Sequence, residues 1–220
     1  LLFDDWNFYP AIVKPAMEHC SYGITPEAVI LTKKELRKRI SYVLHTYSQP
    51  ALVEDFIDGR EFHVTIWGHK QLKMLPPAEM DFSAFENIHD RLCTYDSKFE
   101  PDSLHYRKTK VKVPAELSKR EHENLREIAT KAFLTVGCRD YGRIDIRLRN
   151  GIFYVLDVNA NPDISKETSM AEAAQLCGFS YNGMIGNILN LAIKRHGIKK
   201  TKKRARKNIS HHQYDLPNFK

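Results

Sequence analysis

The stretch from Arg143 to Pro162, RIDIRLRNGIFYVLDVNANP, decides how the rest of the chain is read. Apolar and polar residues alternate with a period of two, the pattern of a strand, which breaks at Asn150-Gly151 and then resumes. Asp145, Asp157 and Asn159 are poor strand formers, and a buried carboxylate without a partner is costly, so something must offset their placement here. Alternation sets Arg143, Asp145 and Arg147 on one face of the first strand, and Asp157 with Asn159 on one face of the second.

Whether those faces coincide depends on the turn. A two-residue loop, Asn150-Gly151, pairs 145 with 156 and parts the two aspartates unless a bulge compensates. A three-residue loop, Arg149-Asn150-Gly151, pairs 148 with 152, sets Arg143 opposite Asp157, and gathers both acids, Asn159 and Arg143 on one face. Two carboxylates and an amide oxygen then suit a hard cation such as Mg2+ beside phosphates, with Arg143 placed against developing negative charge. The plainer reading is a surface hairpin holding ion pairs such as Asp145–Arg147.

Upstream, residues 11–14 (AIVK) read as a short strand stopped by Pro15, followed by a polar loop over 16–25. A helical period with a basic outer face runs from Lys33 to about Ser48. Strands follow at 51–57 and 60–68, separated by Asp58-Gly59 read as a tight turn. The stretch 76–113 shows no sustained period and is taken as loops with short strands. Pro114 is placed to open a helix over 114–136, with Leu125, Ile128, Ala132 and Phe133 inward and Gly137 ending it. Two more helices are expected at 167–177 and 180–195. Antiparallel hairpins mixed with helices give an α+β class.

The chain's 220 residues are one large domain or two small lobes at about 150 residues per domain. Its 42% apolar and 28% charged content excludes a disordered, collagen-like or membrane-spanning chain. The formal charge of +7 points to a polyanionic partner until it is partitioned. Residues 194–220 hold ten Lys and Arg against Asp215 alone, so the preceding body carries −2. A nucleic acid is therefore expected only through the basic tail, KKTKKRARK, which would bind phosphates in a salt-dependent way. Cys20, Cys93, Cys138 and Cys177 have neither zinc-ligand nor disulfide-framework spacing, which suits a reducing cytoplasm. The histidines form no coherent set, and His63 has no evident partner.

Four further side chains are ambiguous singly. Lys14 ends a strand beside a loop, Glu54 and Glu61 flank the 58–59 turn, and Lys98 lies in the loop TYDSKFE. Lys14, Glu54 and Glu61 read alone as solvated surface charges before anything else, and Lys98 alone is open between the two readings. Their order is more specific. VKPAMEHCSYGI, LVEDFIDGREFHV, LPPAEMDF, YDSKF and CRDYGRIDIRL with FYVLDVNANPDIS resemble the ATP-grasp ligases, in particular the D-alanine–D-alanine ligase group, over residues 11–193.

That resemblance implies two α+β lobes whose antiparallel sheets clasp ATP, and an enzyme that joins a carboxylate to an amine through an acyl phosphate. Lys14, Ser21 and Gly23, within the 16–24 loop, would hold phosphates, Glu54 the adenine amine, Phe56 and Ile57 the base, and Glu61 the ribose. Lys98 would reach the transferred phosphate, Arg143 would stabilise the acyl-phosphate and tetrahedral states, and Ser169 (or Thr168) would meet a substrate carboxylate. Asp145, Asp157 and Asn159 would bind two Mg2+ ions, with Mn2+ as a substitute. The implied substrates are small molecules, an amino acid or small peptide among them, and a homo-oligomer is left open. Asp163 stands where these ligases carry a glycine near the oxyanion. The resemblance divides the chain into the end of a preceding segment (1–10), a small lobe (11–70), a large lobe (71–195) and a basic tail (196–220). The family's N-terminal lobe is expected to be missing. The rival expectations are a nucleotide-binding but catalytically incomplete fragment and a nucleic-acid binder acting through the tail.

Overall fold

The computed structural model describes residues 5–198, so most of the basic tail lies outside the described residues. Ala11–Pro15 (β1) is the centre of a three-stranded antiparallel sheet, between Val29–Ile30 (β2) and Ala51–Asp55 (β3). Lys33–Tyr47 (α1) covers one face of it. Its start is fixed by a capping box in which the Thr32 hydroxyl accepts from the Glu35 amide while the Glu35 side chain accepts from the Thr32 amide. Leu36, Ile40 and Val43 recur on one side of the helix and bury against Ala11, Val13 and Ile30.

The second sheet has six antiparallel strands. They are Arg60–Gly68 (β4), Leu72–Met74 (β5), Ala78–Asp81 (β6), Lys110–Lys112 (β7), Asp140–Arg149 (β8) and Ile152–Asn159 (β9). The order is β7-β6-β4-β8-β9, with β5 also on β4. Two short helices, Asp96–Phe99 (α2) and Leu104–Lys108 (α3), precede β7, and Lys119–Thr135 (α4) precedes β8. Ser169–Leu176 (α5) and Tyr181–Arg195 (α6) end the described fold. The two faces of the large sheet have different jobs. Phe62, Val64, Ile66, Ile144 and Ile146 bury against Leu125, Ala129 and Phe133 of α4. The opposite face is polar in its centre, with Glu61, His63 and Thr65 of β4 paired to Arg147, Asp145 and Arg143 of β8. At one end Trp67 packs with Met170, Ala173 and Met184 from α5 and α6.

Two expectations are corrected. The helix predicted from Pro114 begins at Lys119, because Ser118 and Glu121 form a reciprocal capping box that fixes the start there. Asp58-Gly59 is not a hairpin turn: β3 belongs to the small sheet and β4 to the large one. The chain thus passes from the small sheet to the large one over residues 56–59. Gly59 is needed for closeness, since a Cβ there would stand 2.1 Å from the Leu148 carbonyl oxygen.

Arg147 clamps this crossing. Its guanidinium, 3% exposed, donates to Glu61 Oε2 (2.7 Å), the Ile57 carbonyl (2.8 Å) and the Arg91 carbonyl (2.5 Å). It also lies over the Phe56 ring at 4.8 Å. Burial alone raises the Glu61 carboxyl, but Arg147 and His63 outweigh it and hold the group well below the usual carboxylate range.

Two predictions follow from these contacts. Arg147→Met leaves Glu61 buried without its cation and is expected to cost about 3–5 kcal/mol in urea unfolding, most of it recovered by adding Glu61→Met. The pH slope also reverses. The parent's Glu61 contribution is present above the ordinary value of 4.5 and fades as pH falls, whereas in the variant burial without Arg147 raises the carboxyl and stability falls as pH rises above that value. Gly59→Ala is expected to cost about 1–3 kcal/mol by overpacking. Gly186→Ala, in α6 with nothing within 4 Å of the new Cβ, is expected to gain about 0.5–1 kcal/mol in the same assay.

Candidate active site

The β8–β9 hairpin turns through two residues, Asn150 (φ 53°) and Gly151 (φ 77°), with Arg149 opposite Ile152. Both lie in the left-handed region that a tight two-residue hairpin requires. The three-residue loop is therefore not formed. A bulge restores what that turn would have lost. Ile146 pairs with Val155 but Asp145 pairs with Asp157, leaving Leu156 without a cross-strand partner. Arg143 then pairs with Asn159, and all four polar residues share one face.

Arg143 donates from Nε to Asp145 Oδ1 (2.7 Å) and from Nη2 to Oδ2 (2.9 Å), and Asn159 Nδ2 donates to the same Oδ2 (3.2 Å). The ion pair read as Asp145–Arg147 is thus Asp145–Arg143. Burial lowers the Arg143 guanidinium's affinity for its proton, but Asp145, with Cys93 and Asp157 farther off, raises it overall. Asp157 is exposed and accepts from the Val158 amide (2.8 Å), which leaves its second oxygen open. Asp145, Asp157 and Asn159 offer an all-oxygen set at the mouth of the sheet, which fits Mg2+. Asp163 Oδ1 accepts from the Ser165 amide (2.8 Å) and hydroxyl (2.5 Å), and these bonds, with a smaller contribution from Arg143, hold its carboxyl below the usual carboxylate range.

The 16–24 loop reaches the large sheet's side through α2. Lys98 Nζ donates to Ser21 Oγ (2.6 Å), the Tyr95 amide to the Ile24 carbonyl (3.4 Å), and the Tyr22 and Tyr95 rings meet edge-on. Cys20 (φ 55°) and Ser21 (φ 60°) hold left-handed backbone, uncommon without glycine. Gly23 (φ 77°) could not take a side chain, since a Cβ would stand 2.7 Å from Pro15 Cγ, and its carbonyl accepts from the buried Arg39 (2.7 Å). Lys14 pairs with Glu54 across the small sheet (2.6 Å). Phe56 and Ile57 are buried in the crossing between sheets. Ser169 opens α5 behind the Thr168 cap.

Sequence reasoning passed over three members of this region. His63 has neighbours after all: Glu61 Oε1 at 3.7 Å and Asp145 Oδ1 at 3.9 Å. Cys93 stands beside them, its thiol pushed well up by burial and by Glu61. His105, buried and stacked on Phe85, lies between Asp90 (3.1 Å) and Asp96 (3.3 Å) and so steadies the helix that carries Lys98. Alternation along 60–68 sets His63 on the face of Glu61, but no motif marks it, Cys93 or His105.

Comparison with known proteins places this arrangement. The family model described as D-ala D-ala ligase C-terminus matches residues 3–190. An uncharacterized protein of Sinorhizobium fredii is 34% identical over 194 residues, 88% of this chain and 54% of that protein. A D-alanine–D-alanine ligase of Desulforamulus reducens is 29% identical over 186 residues, 84% of this chain and 55% of the ligase. The chain thus spans little more than half the length of these relatives. Among solved structures, the D-alanine–D-alanine ligase of Bacillus anthracis complexed with ATP superposes with a TM-score of 0.67 at 19% identity, over 88% of this chain and 58% of that one. The VanG D-Ala:D-Ser ligase of Enterococcus faecalis gives 0.66 at 20% identity, over 86% and 51%. At that identity the structural likenesses speak to the fold, and the sequence match speaks to descent. The chain belongs to the D-alanine–D-alanine ligase C-terminal family and has its ATP-grasp fold.

Proposed function

We propose that this chain carries the nucleotide- and Mg2+-binding part of an ATP-dependent ligase that joins a carboxylate to an amine, an amino acid or small peptide among them. The observation that carries this reading is the pairing of Arg143 with Asn159 and of Asp145 with Asp157 on one face. Lys98 and the 16–24 loop are linked to each other at 2.6 Å. In this reading Lys14, Ser21 and the backbone around Gly23 hold phosphates. Glu54 takes the adenine amine, Phe56 and Ile57 border the base, and Glu61 meets the ribose through the oxygen that Arg147 leaves open.

Asp145, Asp157 and Asn159 would hold Mg2+, which when bound neutralises phosphate charge. Asp145 must then share its oxygens between the cation and Arg143. Lys98 contacts the phosphate being transferred, and Arg143, partly released, stabilises negative charge on the acyl phosphate and on the tetrahedral adduct formed by the amine. Ser169 is placed for a substrate carboxylate. Phosphoryl transfer needs positioning and charge stabilisation more than covalent help from the protein, and these side chains supply both. Among the described residues no helix is long and apolar enough to cross a membrane, and the four free cysteines accord with a reducing cytoplasm.

Calorimetry of MgATP binding tests this. The chain is expected to bind MgATP, Lys98→Ala to weaken it about tenfold or more, a loss of about 1.4 kcal/mol, and Asp157→Asn to abolish its dependence on Mg2+. Absence of MgATP binding, or parental affinity and Mg2+ dependence in both folded variants, would overturn the proposal.

A further inference from the structure

The polar face of the large sheet holds a second constellation whose chemistry differs from the all-oxygen group. Glu61 and His63 are adjacent same-face residues of β4, 5% and 9% exposed, and Cys93 approaches them from the segment before α2. Glu61 Oε1, His63 Nε2 and Cys93 Sγ all lie within 4.8 Å of one another. Among the described residues this is the one His, Cys and carboxylate group so assembled.

Each donor is free to face inward for a reason visible in the fold. Arg147 takes Glu61 Oε2, which fixes the carboxylate and turns Oε1 toward the imidazole at 3.7 Å, beyond hydrogen-bond length. Strand alternation fixes His63 beside it. The Arg91 carbonyl, held by the same Arg147, anchors the chain two residues before Cys93. One buried arginine thus orients the carboxylate and tethers the thiol's segment, as outer partners do around metal ligands.

We propose that Glu61, His63 and Cys93 form a binding site for a thiophilic divalent cation of the Zn2+ class, separate from the Mg2+ ligands. Tetrahedral Zn2+ with oxygen, nitrogen and sulfur donors spaces its ligand atoms about 3.3–3.6 Å apart, so the His63–Glu61 pair, at 3.7 Å, must close by a few tenths of an ångström and the rest of the group by about 1 Å at most. A thiolate with an imidazole selects Zn2+ or Co2+ over Mg2+, which prefers oxygen alone. As the metal–sulfur bond forms, the Cys93 thiol gives its proton to solvent, and the fourth position is left to water. The metal takes the same Glu61 Oε1 that the nucleotide reading gives to the ribose, so cation and ribose exclude one another at this carboxylate, and the titration is made without nucleotide.

Titration of the reduced full chain with Co2+, in excess Mg2+, tests it. The expected result is one equivalent bound with thiolate-to-cobalt charge-transfer absorption, reversed by Zn2+. Cys93→Ser and His63→Gln should each lose that absorption, while Cys138→Ser, Cys177→Ser and Cys20→Ser keep it. Cys20 serves as the critical control, because its sulfur lies 3.2 Å from the His19 ring on the surface. Circular dichroism of the metal-free variants checks their folding. An arm on the unaltered chain avoids substitution: Zn2+ should protect one thiol from alkylation, identified by mass spectrometry as Cys93. No thiolate absorption at one equivalent, absorption that survives in folded Cys93→Ser or His63→Gln, or protection of a different cysteine would each overturn the proposal.

Discussion

The arrangement depends on one buried ion pair. Arg147 and Glu61 are directly opposite across β8 and β4, and neither could be buried there alone. Together they form a rigid polar floor. The remaining donors of Arg147 reach the crossing between the two sheets and the segment leading to α2. A single side chain thereby sets where the small sheet leaves the large one and where the Lys98 helix begins. Buried pairs of this kind contribute little net stability against an apolar alternative. What this pair contributes is position, since every neighbouring carbonyl and ring is oriented around one guanidinium plane.

The phosphate-side loop is governed by a different constraint. Its left-handed Cys20 and Ser21 cost about 1–2 kcal/mol each relative to ordinary backbone. They are held by Arg39 on the Gly23 carbonyl and by the contacts of Tyr22, Ile24 and Ser21 with the α2 region. Such conformations persist only where surroundings over-determine them. Here the over-determination comes from α1 on one side and the α2 region on the other, so the loop is held by the same helix that carries Lys98.

Much of this was legible in the sequence, because strands announce themselves by alternation. Arg143, Asp145 and Arg147 were assigned to one face of β8, and the structure puts them there. The turn was harder to read. Phe153 and Val158 of β9 pack on the core and the exposed Val155 pairs with Ile146 between them, a spacing of two and then three, and that slip of phase is the mark of a bulge. Asp58-Gly59 looked like a turn because glycine serves both turns and close approaches, and only the Leu148 carbonyl tells them apart. What surrounds His105, His63 and Cys93 could not be read at all. Their meaning comes from segments far apart in sequence that meet only when the fold is complete.

The bulge at Leu156 gives the hairpin a margin in chain length. β9 contains one residue more than a straight ladder from Ile152 to Asp157 would use. Loss of Leu156 can be absorbed by straightening the strand, with Asp157 still opposite Asp145 and Phe153 to Val155 on their present faces. Gain of a residue has no such outlet. The hairpin is therefore asymmetric toward length variation, tolerant of a deletion at the bulge and intolerant of an insertion.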